Sequence, residues 1–365
     1  MKEVIFVGTY TQPILFGTGQ ILEGKGKGIY RYELDLESGM IRQMDETPDV
    51  VNPSYLVVSP DHRFLYAVNE LKEFEGKKSG SVSAFSIDPD TLGLTFLNRR
   101  ATFGTDPCHV IVGPSNRQIF VANFMSGSEC VLPVREDGSL EEASCFVQHE
   151  GHSVDPKRQM GPHAHSTTFS PDGRFAFAPD LGKDMLLTYT LDEEHGKITQ
   201  SAEFQTKPGA GPRHCVFHPN GKYCYLTNEM DCTIYTLLYH EQDGTFELLQ
   251  SVPLLVDDQY SGPNSGADIQ ITPDGKFLYG SNRGHNSLIG YAVDPETGLL
   301  SFIGMTDGRG GVPRSFAVDP TGQYVIIANQ DDDNLVVFRV QEDGSLEYVT
   351  ECFAPTPVCV KPYIF

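Results

Sequence analysis

The stretch Asn52-Pro-Ser-Tyr-Leu-Val-Val-Ser-Pro60-Asp-His-Arg-Phe-Leu-Tyr-Ala-Val-Asn69 decides the fold, because the chain repeats it. Two runs of apolar, β-branched and aromatic residues flank a short polar turn, a pattern that predicts a β-hairpin. Five further copies follow, and successive anchor prolines are 54, 57, 48, 54 and 47 residues apart: Pro60, Pro114, Pro171, Pro219, Pro273 and Pro320. A period near 50 residues is typical of repeat architectures.

Each repeat continues past its hairpin with a third apolar run, an acidic turn and a fourth run. Four strands in about 50 residues predict one blade of a β-propeller. Six units fill residues 52–355, and the leftover segments 356–362, 2–10, 28–36 and 41–50 supply the strands of a seventh. We therefore expect an all-β single domain over residues 1–365. It would be a seven-bladed β-propeller of four-stranded antiparallel blades, with the last blade closed by the N- and C-terminal strands.

The amino-acid composition limits the classes of molecule that the protein is expected to bind. The chain has 365 residues, with 49 acidic against 27 basic ones and a net charge of −22. That charge argues against nucleic acid and anionic membranes as partners, whereas a small anionic substrate responds only to its own pocket. The apolar N-terminal run is strand-sized rather than signal-peptide-sized, and the eight cysteines form no Cys-x-x-Cys pair. We expect a cytoplasmic protein with reduced cysteines, as a monomer or a weak homo-oligomer.

Equivalent positions of the repeats can be compared with one another, and the comparison separates residues that hold the fold together from residues that form a site. One near-uniform ladder lies nine residues after the anchor proline: Asn69, Asn123, Asp180, Asn228, Asn282 and Asn329. A short polar side chain that ends a strand and hydrogen-bonds nearby backbone accounts for this uniformity. We predict a structural role for the ladder.

Two other positions vary widely between repeats. Ten residues after the proline stand Glu70, Phe124, Leu181, Glu229, Arg283 and Gln330. Six residues before it stand Ser54, Cys108, His165, Arg213, Ala267 and Arg314. Because a scaffold would keep equivalent positions alike, this variation indicates a binding task.

The predicted hairpin geometry joins these two variable sets. A turn centred two residues after the proline would place them opposite each other, as the pairs Arg213–Glu229, Arg314–Gln330 and Arg283–Ala267. Both sets, and the long connections 11–27, 70–79, 150–162 and 254–266, would meet at one mouth of the central channel. Guanidinium groups bind carboxylate or phosphate bidentately, so their clustering predicts an anion site. A structural Arg213–Glu229 ion pair that braces one blade remains the alternative for that pair.

His163 and His165 form a His-x-His pair that would share one face of a strand. That spacing suits a metal, with Asp180 and His109 as conceivable further ligands. A histidine that acts as general base or acid is the favoured interpretation, because its ordinary pKa lies near neutrality. We therefore expect neither a metal nor a cofactor. The remaining histidines are interpreted as surface or packing residues, namely His152, His195, His214 and His218.

Several phrases resemble one known family: Gly211–Pro219, Ala267–Gly275, Pro313–Pro320 and the opening Val7-Gly-Thr-Tyr10. They are similar to the seven-bladed lactonases, which include the propeller-type 6-phosphogluconolactonase and the fungal 3-carboxy-cis,cis-muconate lactonising enzyme. The likeness covers nearly the whole chain. It implies His165 as the catalytic histidine, with Arg213, Glu229 and Arg283 as its catalytic partners.

The expected function is hydrolysis of a sugar lactone, 6-phospho-D-glucono-1,5-lactone above all, within carbohydrate metabolism. His165 would activate water, Arg213 or Arg283 would stabilise the oxyanion, and Glu229 would orient Arg213. Lys157 or Arg158 would assist at the rim. Further residues are predicted to bind substrate: Arg314, Gln330, His163, Asp268 and Glu70.

Two alternatives stay open at this point. The same site could cyclise a carboxy-cis,cis-muconate to its lactone, with the arginines binding carboxylates. The propeller could also be a non-catalytic interaction scaffold, because fold alone does not determine function.

Overall fold

The computed structural model describes residues 2–15 and 19–365. In those residues every regular element is a β-strand, and the strands form seven four-stranded antiparallel sheets and one small hairpin. The predicted all-β, seven-bladed propeller is therefore confirmed. None of the described residues form a helix that could span a membrane.

The strands are numbered along the chain. The N-terminal strands are β1 (Glu3–Thr9), β2 (Ile14–Leu15), β3 (Ile21–Leu22), β4 (Gly28–Leu34) and β5 (Ile41–Pro48). Blade 1 holds β6 (Leu56–Val58), β7 (Phe64–Asn69), β8 (Ser81–Ile87) and β9 (Leu94–Ala101). Blade 2 holds β10 (Pro107–Val112), β11 (Gln118–Asn123), β12 (Ser128–Pro133) and β13 (Cys145–Gln148). Blade 3 holds β14 (Thr168–Phe169), β15 (Phe175–Asp180), β16 (Met185–Asp192) and β17 (Lys197–Gln205).

The remaining blades follow the same order. Blade 4 holds β18 (Pro212–Phe217), β19 (Tyr223–Asn228), β20 (Thr233–His240) and β21 (Thr245–Pro253). Blade 5 holds β22 (Ser265–Ile271), β23 (Phe277–Arg283), β24 (Ser287–Val293) and β25 (Leu300–Asp307). Blade 6 holds β26 (Pro313–Val318), β27 (Tyr324–Asn329), β28 (Asn334–Val340) and β29 (Leu346–Phe353), and β30 (Pro357–Ile364) completes the chain.

Blade 7 joins the two ends of the chain. Its strand order is β30-β1-β4-β5, and Val7 pairs antiparallel with Val360 on one side and with Tyr30 on the other. The predicted closure by terminal strands is confirmed. Closure of the ring pairs β1 on both sides and leaves β30 as an end strand of the blade, one of the short, protected edges typical of propellers.

The core lies between neighbouring blades rather than at the axis. All six residues of β7 are buried, because that strand is covered by a blade on each face. The outermost strand β17 instead alternates between exposed and partly buried side chains, as a strand with one solvated face does. One large apolar cluster connects blades 7, 1 and 2 through residues such as Phe6, Leu65 and Val121.

The asparagine ladder ties adjacent blades together. The Nδ2 atom of Asn69 donates to Val51 O (2.7 Å), that of Asn282 to Leu254 O (2.6 Å) and that of Asn329 to Gly308 O (2.9 Å). Each accepting carbonyl belongs to the segment that enters from the preceding blade. The predicted structural role is confirmed.

The predicted register of the hairpins is wrong by one residue along the strands and by two at the mouth. Pro212 pairs with Asn228 and His214 pairs with Thr227, so Arg213 is the extra residue of a β-bulge. Glu229 bonds through its amide to Gly211 O instead of lying opposite Arg213. A bulge adds one residue to one strand and redirects its side chain, which hydrophobic pattern alone does not reveal.

The same correction applies in other blades. Cys108 and Arg314 are also bulge residues, and the position ten residues after the anchor pairs with the one eight before it. Arg283 accordingly pairs with Ser265, not with Ala267.

Candidate active site

A cavity of about 770 Å³ occupies one mouth of the channel, here called the upper cavity. The strand ends place both variable sets on its wall, including Glu70, Cys108, Phe124, His165, Glu229, Arg283, Arg314 and Gln330. Three of the long connections add the side chains Leu15, Ile21, Arg158 and Asn264. The two variable sets therefore still meet at one mouth of the channel although their register was predicted wrongly, because the bulge directs its residue toward the channel axis.

Glu229 is the centre of an arginine cluster. Its Oε2 atom lies 2.8 Å from Arg283 and 3.1 Å from Nε of Arg213, and its Oε1 atom accepts from Arg158 at 2.6 Å. Burial alone would raise the pKa of Glu229, but the charges of Arg283, Arg158 and Arg213 outweigh it and hold the pKa below its usual range. One ionised carboxylate thus braces three guanidinium groups, which leaves a local surplus of positive charge around Glu229. The cavity is also lined by Glu70, Asp106 and Asp331, and burial raises the pKa of the first two carboxyl groups.

Arg213 is fixed on all sides. It is 2% exposed and donates to Ala267 O on the next blade as well as contacting Glu229. Burial, followed by the charge of Arg283, lowers the pKa of Arg213 to about 10. The group is still a cation near neutral pH, and its fixed orientation suits the stabilisation of a developing negative charge.

His165 lies against this cluster and is 5% exposed. Its Nδ1 atom is 3.7 Å from Cys108 Sγ, and its ring meets Phe124 and His214 edge to face with centroids 5.2 Å apart in each case. Burial, then the charges of Arg213, His214 and Arg314, lowers the pKa of His165 well below its usual value. The ring is therefore neutral near pH 7 and able to accept a proton.

A second group of polar and charged side chains, contributed by blades 1, 6 and 7, faces the arginine cluster. The Tyr10 hydroxyl donates to Glu70 Oε2 at 3.0 Å, and the Arg314 guanidinium lies 5.8 Å from the centre of the Tyr10 ring. Gln330 donates to Asp331, while its buried Oε1 meets no donor among the described residues. The wall thus offers another cation and a free acceptor for a hydroxylated ligand.

A family model described as "Lactonase, 7-bladed beta-propeller" matches residues 4–362. The chain belongs to the seven-bladed β-propeller lactonase family. It is an enzyme of the lactone-hydrolysing class, and its homologues carry the name 6-phosphogluconolactonase.

Named relatives match this lactonase along its whole length. The 6-phosphogluconolactonase of Bacillus subtilis (strain 168) is 36% identical over 362 residues, covering 99% of this chain and 98% of that protein. The 6-phosphogluconolactonase of Formosa agariphila is 33% identical, covering 94% of each chain. The solved structure of the Pseudomonas aeruginosa periplasmic gluconolactonase PpgL superposes with a TM-score of 0.89 at 32% identity, covering 100% of this chain and 99% of that one.

The structure places two predicted substrate-binding residues of this lactonase elsewhere. His163 does not line the upper cavity, because its ring stacks on Phe124 and hydrogen-bonds Phe124 O at 3.0 Å. The two histidines flank Ala164, which forms an antiparallel bridge with Asp180, and both rings contact Phe124 on one side as expected, but only His165 lines the upper cavity. Asp268 lies below the cavity, where it accepts a hydrogen bond from His214.

Three other residues were missed or misinterpreted. Tyr10 occupies in blade 7 the place that Glu70 and Glu229 hold in theirs, which an alignment of strand ends in that split blade would have revealed. His214 is neither surface nor packing, since it lies buried between Asp268 and Arg213. Cys108, a member of the variable set to which no catalytic role was assigned, lies against His165.

The loop 150–162 brings Arg158 into the site. The Asp155 carboxylate accepts from the amides of Lys157 (2.8 Å) and Arg158 (2.7 Å), and buried Gln159 donates to Leu181 O and Asp184. Arg158 thereby reaches Glu229, whereas Lys157 points into solvent. The described residues contain no group of three or more potential metal ligands.

Proposed function

We propose that the chain hydrolyses 6-phospho-D-glucono-1,5-lactone to 6-phosphogluconate, with protein groups alone as catalysts. The observation that carries the proposal is one neutral, buried histidine beside four arginines that share the carboxylates of Glu229 and Glu70. The names of the full-length relatives support the same substrate. A phosphorylated lactone is an anion, and a surplus of guanidinium charge attracts it.

His165 is proposed as the general base. Its unprotonated ring would take a proton from water as the water oxygen attacks the lactone carbonyl carbon. The same ring, now charged, would return that proton to the ring oxygen as the ester bond breaks. Burial, and after it the charges of the neighbouring arginines, keeps the pKa of His165 low, so the proton is given up readily.

Three arginines are proposed to stabilise the negative charges of the substrate and the transition state. Arg213 and Arg283 share Glu229 Oε2, and Arg213 borders the same narrow gap as His165, so this pair would stabilise the oxyanion. Arg314, beside Tyr10 and acting on the charge of Glu70, lines the upper cavity and would hold the phosphate. Gln330 Oε1 would accept from a sugar hydroxyl.

We also propose a cytoplasmic enzyme, monomeric or weakly oligomeric, with neither nucleic acid nor membrane as a partner. The net charge of −22 disfavours polyanionic partners, and all eight cysteines are unpaired, as in a reducing compartment.

The deciding experiment is a coupled assay that follows 6-phosphogluconate by its oxidation with NADP. The wild-type enzyme should exceed spontaneous hydrolysis of the phosphorylated lactone many-fold, and Arg213→Ala should lose most of that rate. An ultraviolet assay on carboxy-cis,cis-muconates run in parallel should show no turnover. Turnover of the muconate alone would overturn the proposal in favour of the cycloisomerase.

A further inference from the structure

The channel has a second chamber below the site. This lower cavity has a volume of about 220 Å³ and is lined by Tyr55, His109, Thr167, His214, Asp268, Lys361 and Tyr363. At about 30 Å³ per molecule, a polar chamber of this size holds about seven waters. Its wall also contains partly exposed residues such as Gln270 and Tyr363, so it opens on the face opposite the upper cavity.

A narrow gap separates the two cavities. Its volume is about 10 Å³, close to what one water needs, and it is bounded by His165, His214, Asp268, Arg213 and Ser315 among others. The rings of His165 and His214 meet there with centroids 5.2 Å apart, and His214 in turn meets His109 at 5.8 Å. A row of imidazole rings therefore leads from the proposed base to the lower cavity.

His214 is arranged to receive a proton from above. Its Nδ1 lies 3.1 Å from Asp268 Oδ1, and its Nε2 lies 3.4 Å from Arg213 NH1. Burial would raise the pKa of Asp268, but the hydrogen bond and charge of His214, with Lys361 and Arg213, hold it below its usual range. The aspartate is therefore ionised, so Nδ1 carries the hydrogen and Nε2 holds a lone pair.

The charges around His214 come from several strands. Arg213 and Lys361 oppose a positive charge on the ring and Asp268 favours it, while His109, His165 and Tyr55 are neutral neighbours. Burial, then Arg213, lowers the pKa of His214 to about 4. A ring with this pKa holds a proton only briefly, which suits transfer rather than storage.

The proposed reaction produces a proton that must leave. Attack of water forms a carbon–oxygen bond, and the proton that His165 takes is returned to the ring oxygen when the ester bond breaks. The second proton of the water stays on the carboxylic acid and is released when the product becomes a carboxylate. A product bound in the upper cavity would lie over His165 on that side, and the lower channel offers this proton a second route.

We propose that His214 carries this proton from His165 to the lower cavity, which makes the lower channel a proton exit. The inference rests on the proposed function. The proton passes from the product acid to His165 and across the one-water gap to His214 Nε2, while the hydrogen on His214 Nδ1 passes by way of Asp268 to water in the lower cavity. His165 is then neutral again, and His214 is neutral with its hydrogen on Nε2. A ring flip or proton exchange with water returns that hydrogen to Nδ1 before the next turnover.

The test uses the full-length enzyme with His214→Gln. A glutamine amide can donate to Asp268 and accept from Arg213, so it keeps the contacts that position Arg213, but it cannot carry a proton. In weak buffer the kcat of H214Q should fall by about tenfold or more with KM unchanged, which is less than the roughly 10²–10⁴-fold of a direct acid–base group because His214 acts through His165. Added imidazole, small enough for the lower cavity, should restore much of the lost kcat after subtraction of its own catalysis.

Matched variants separate this role from a structural one. His218→Gln changes a buried histidine just past the end of β18 and should leave kcat unchanged. His214→Phe removes the contacts as well and should raise KM in addition, and a thermal melt of each variant confirms folding.

Three results of these experiments would each overturn a different part of the account. If the wild-type enzyme is active and H214Q keeps its kcat within about twofold of it, the proton exit is wrong while the proposed function stands. A lower kcat that comes with a raised KM and no imidazole rescue does the same and assigns His214 to positioning. A wild-type enzyme without lactone turnover overturns the proposed function together with this inference.

Discussion

Asn329 and Gln330 are neighbours at the end of one strand, yet they belong to different parts of the molecule. Asn329 is one of six equivalent polar residues and bonds the backbone of the preceding blade. Gln330 stands at a position whose residue varies widely among the blades, and it lines the upper cavity. The repeated position holds the ring together, and the varied position one residue later forms the site. Within one repeat protein, uniformity marks scaffold and diversity marks chemistry.

The largest loss of activity is expected from substitution of His165, which stands at one of the varied positions. His165→Ala removes the only proposed base, and general acid–base groups contribute about 10²–10⁴-fold, so kcat/KM for the phosphorylated lactone should fall by that factor. The melting temperature should change little. His163→Ala is the matched control and should stay within about threefold of wild type, since its ring does not line the cavity. A larger loss in H163A would return that residue to the site.

Arg314 tests whether the varied positions also set substrate choice. Hydrogen bonds to charged groups contribute about 1.5–3 kcal/mol, so Arg314→Ala should raise KM for the phosphorylated lactone roughly 10- to 100-fold. Hydrolysis of unphosphorylated glucono-1,5-lactone should keep its KM. Equal losses on both substrates would mean that Arg314 does not hold the phosphate.

The matched pair Asn329→Ala and Gln330→Ala tests the comparison itself. Loss of the Asn329 side chain leaves the Gly308 carbonyl without its donor, which should cost about 1–3 kcal/mol of unfolding free energy. Gln330→Ala removes an oxygen that has no described donor and should cost less than about 1 kcal/mol while raising KM. Both variants should be measured by urea unfolding and by lactone kinetics. A loss of stability in Gln330→Ala together with a raised KM in Asn329→Ala would contradict the comparison.

Blade 7 departs from the other repeats at Glu3. The equivalent residues elsewhere are basic or polar and lie three places after the anchor proline: Arg63, Arg117, Arg174, Lys222, Lys276 and Gln323. Glu3 is instead fully buried, and burial followed by the charge of Asp319 raises its pKa to about 8.

The pH dependence of stability follows from that shift. The folded state keeps a proton that the unfolded chain loses above pH 4.5, so the contribution of Glu3 to stability falls as pH rises from about 4.5 to 8. Glu3→Gln should therefore melt close to wild type at pH 5 and at a higher temperature at pH 8. A constant difference between the two melting curves would contradict the assigned titration.

The sequence predicted the fold because the repeat period, the turn residues and the leftover strands all pointed to the same ring. It also brought His165, Arg213 and Arg283 to one mouth, since any register of the hairpin leaves those positions near the strand ends. It could not place Asp268 or the bulges, because one added residue in a strand leaves the apolar pattern intact. Tyr10 escaped notice because its blade is split between the two ends of the chain.

The most direct test of the account is the rate of 6-phosphogluconate formation from its 1,5-lactone, measured for the wild-type enzyme, for H165A and for buffer alone. We expect saturable turnover by the wild type far above the spontaneous rate, and a rate for H165A about 10²–10⁴-fold lower. A wild-type rate no greater than that of buffer, or an H165A rate equal to that of the wild type, would contradict the assignment of this cluster as the lactone-hydrolysing site.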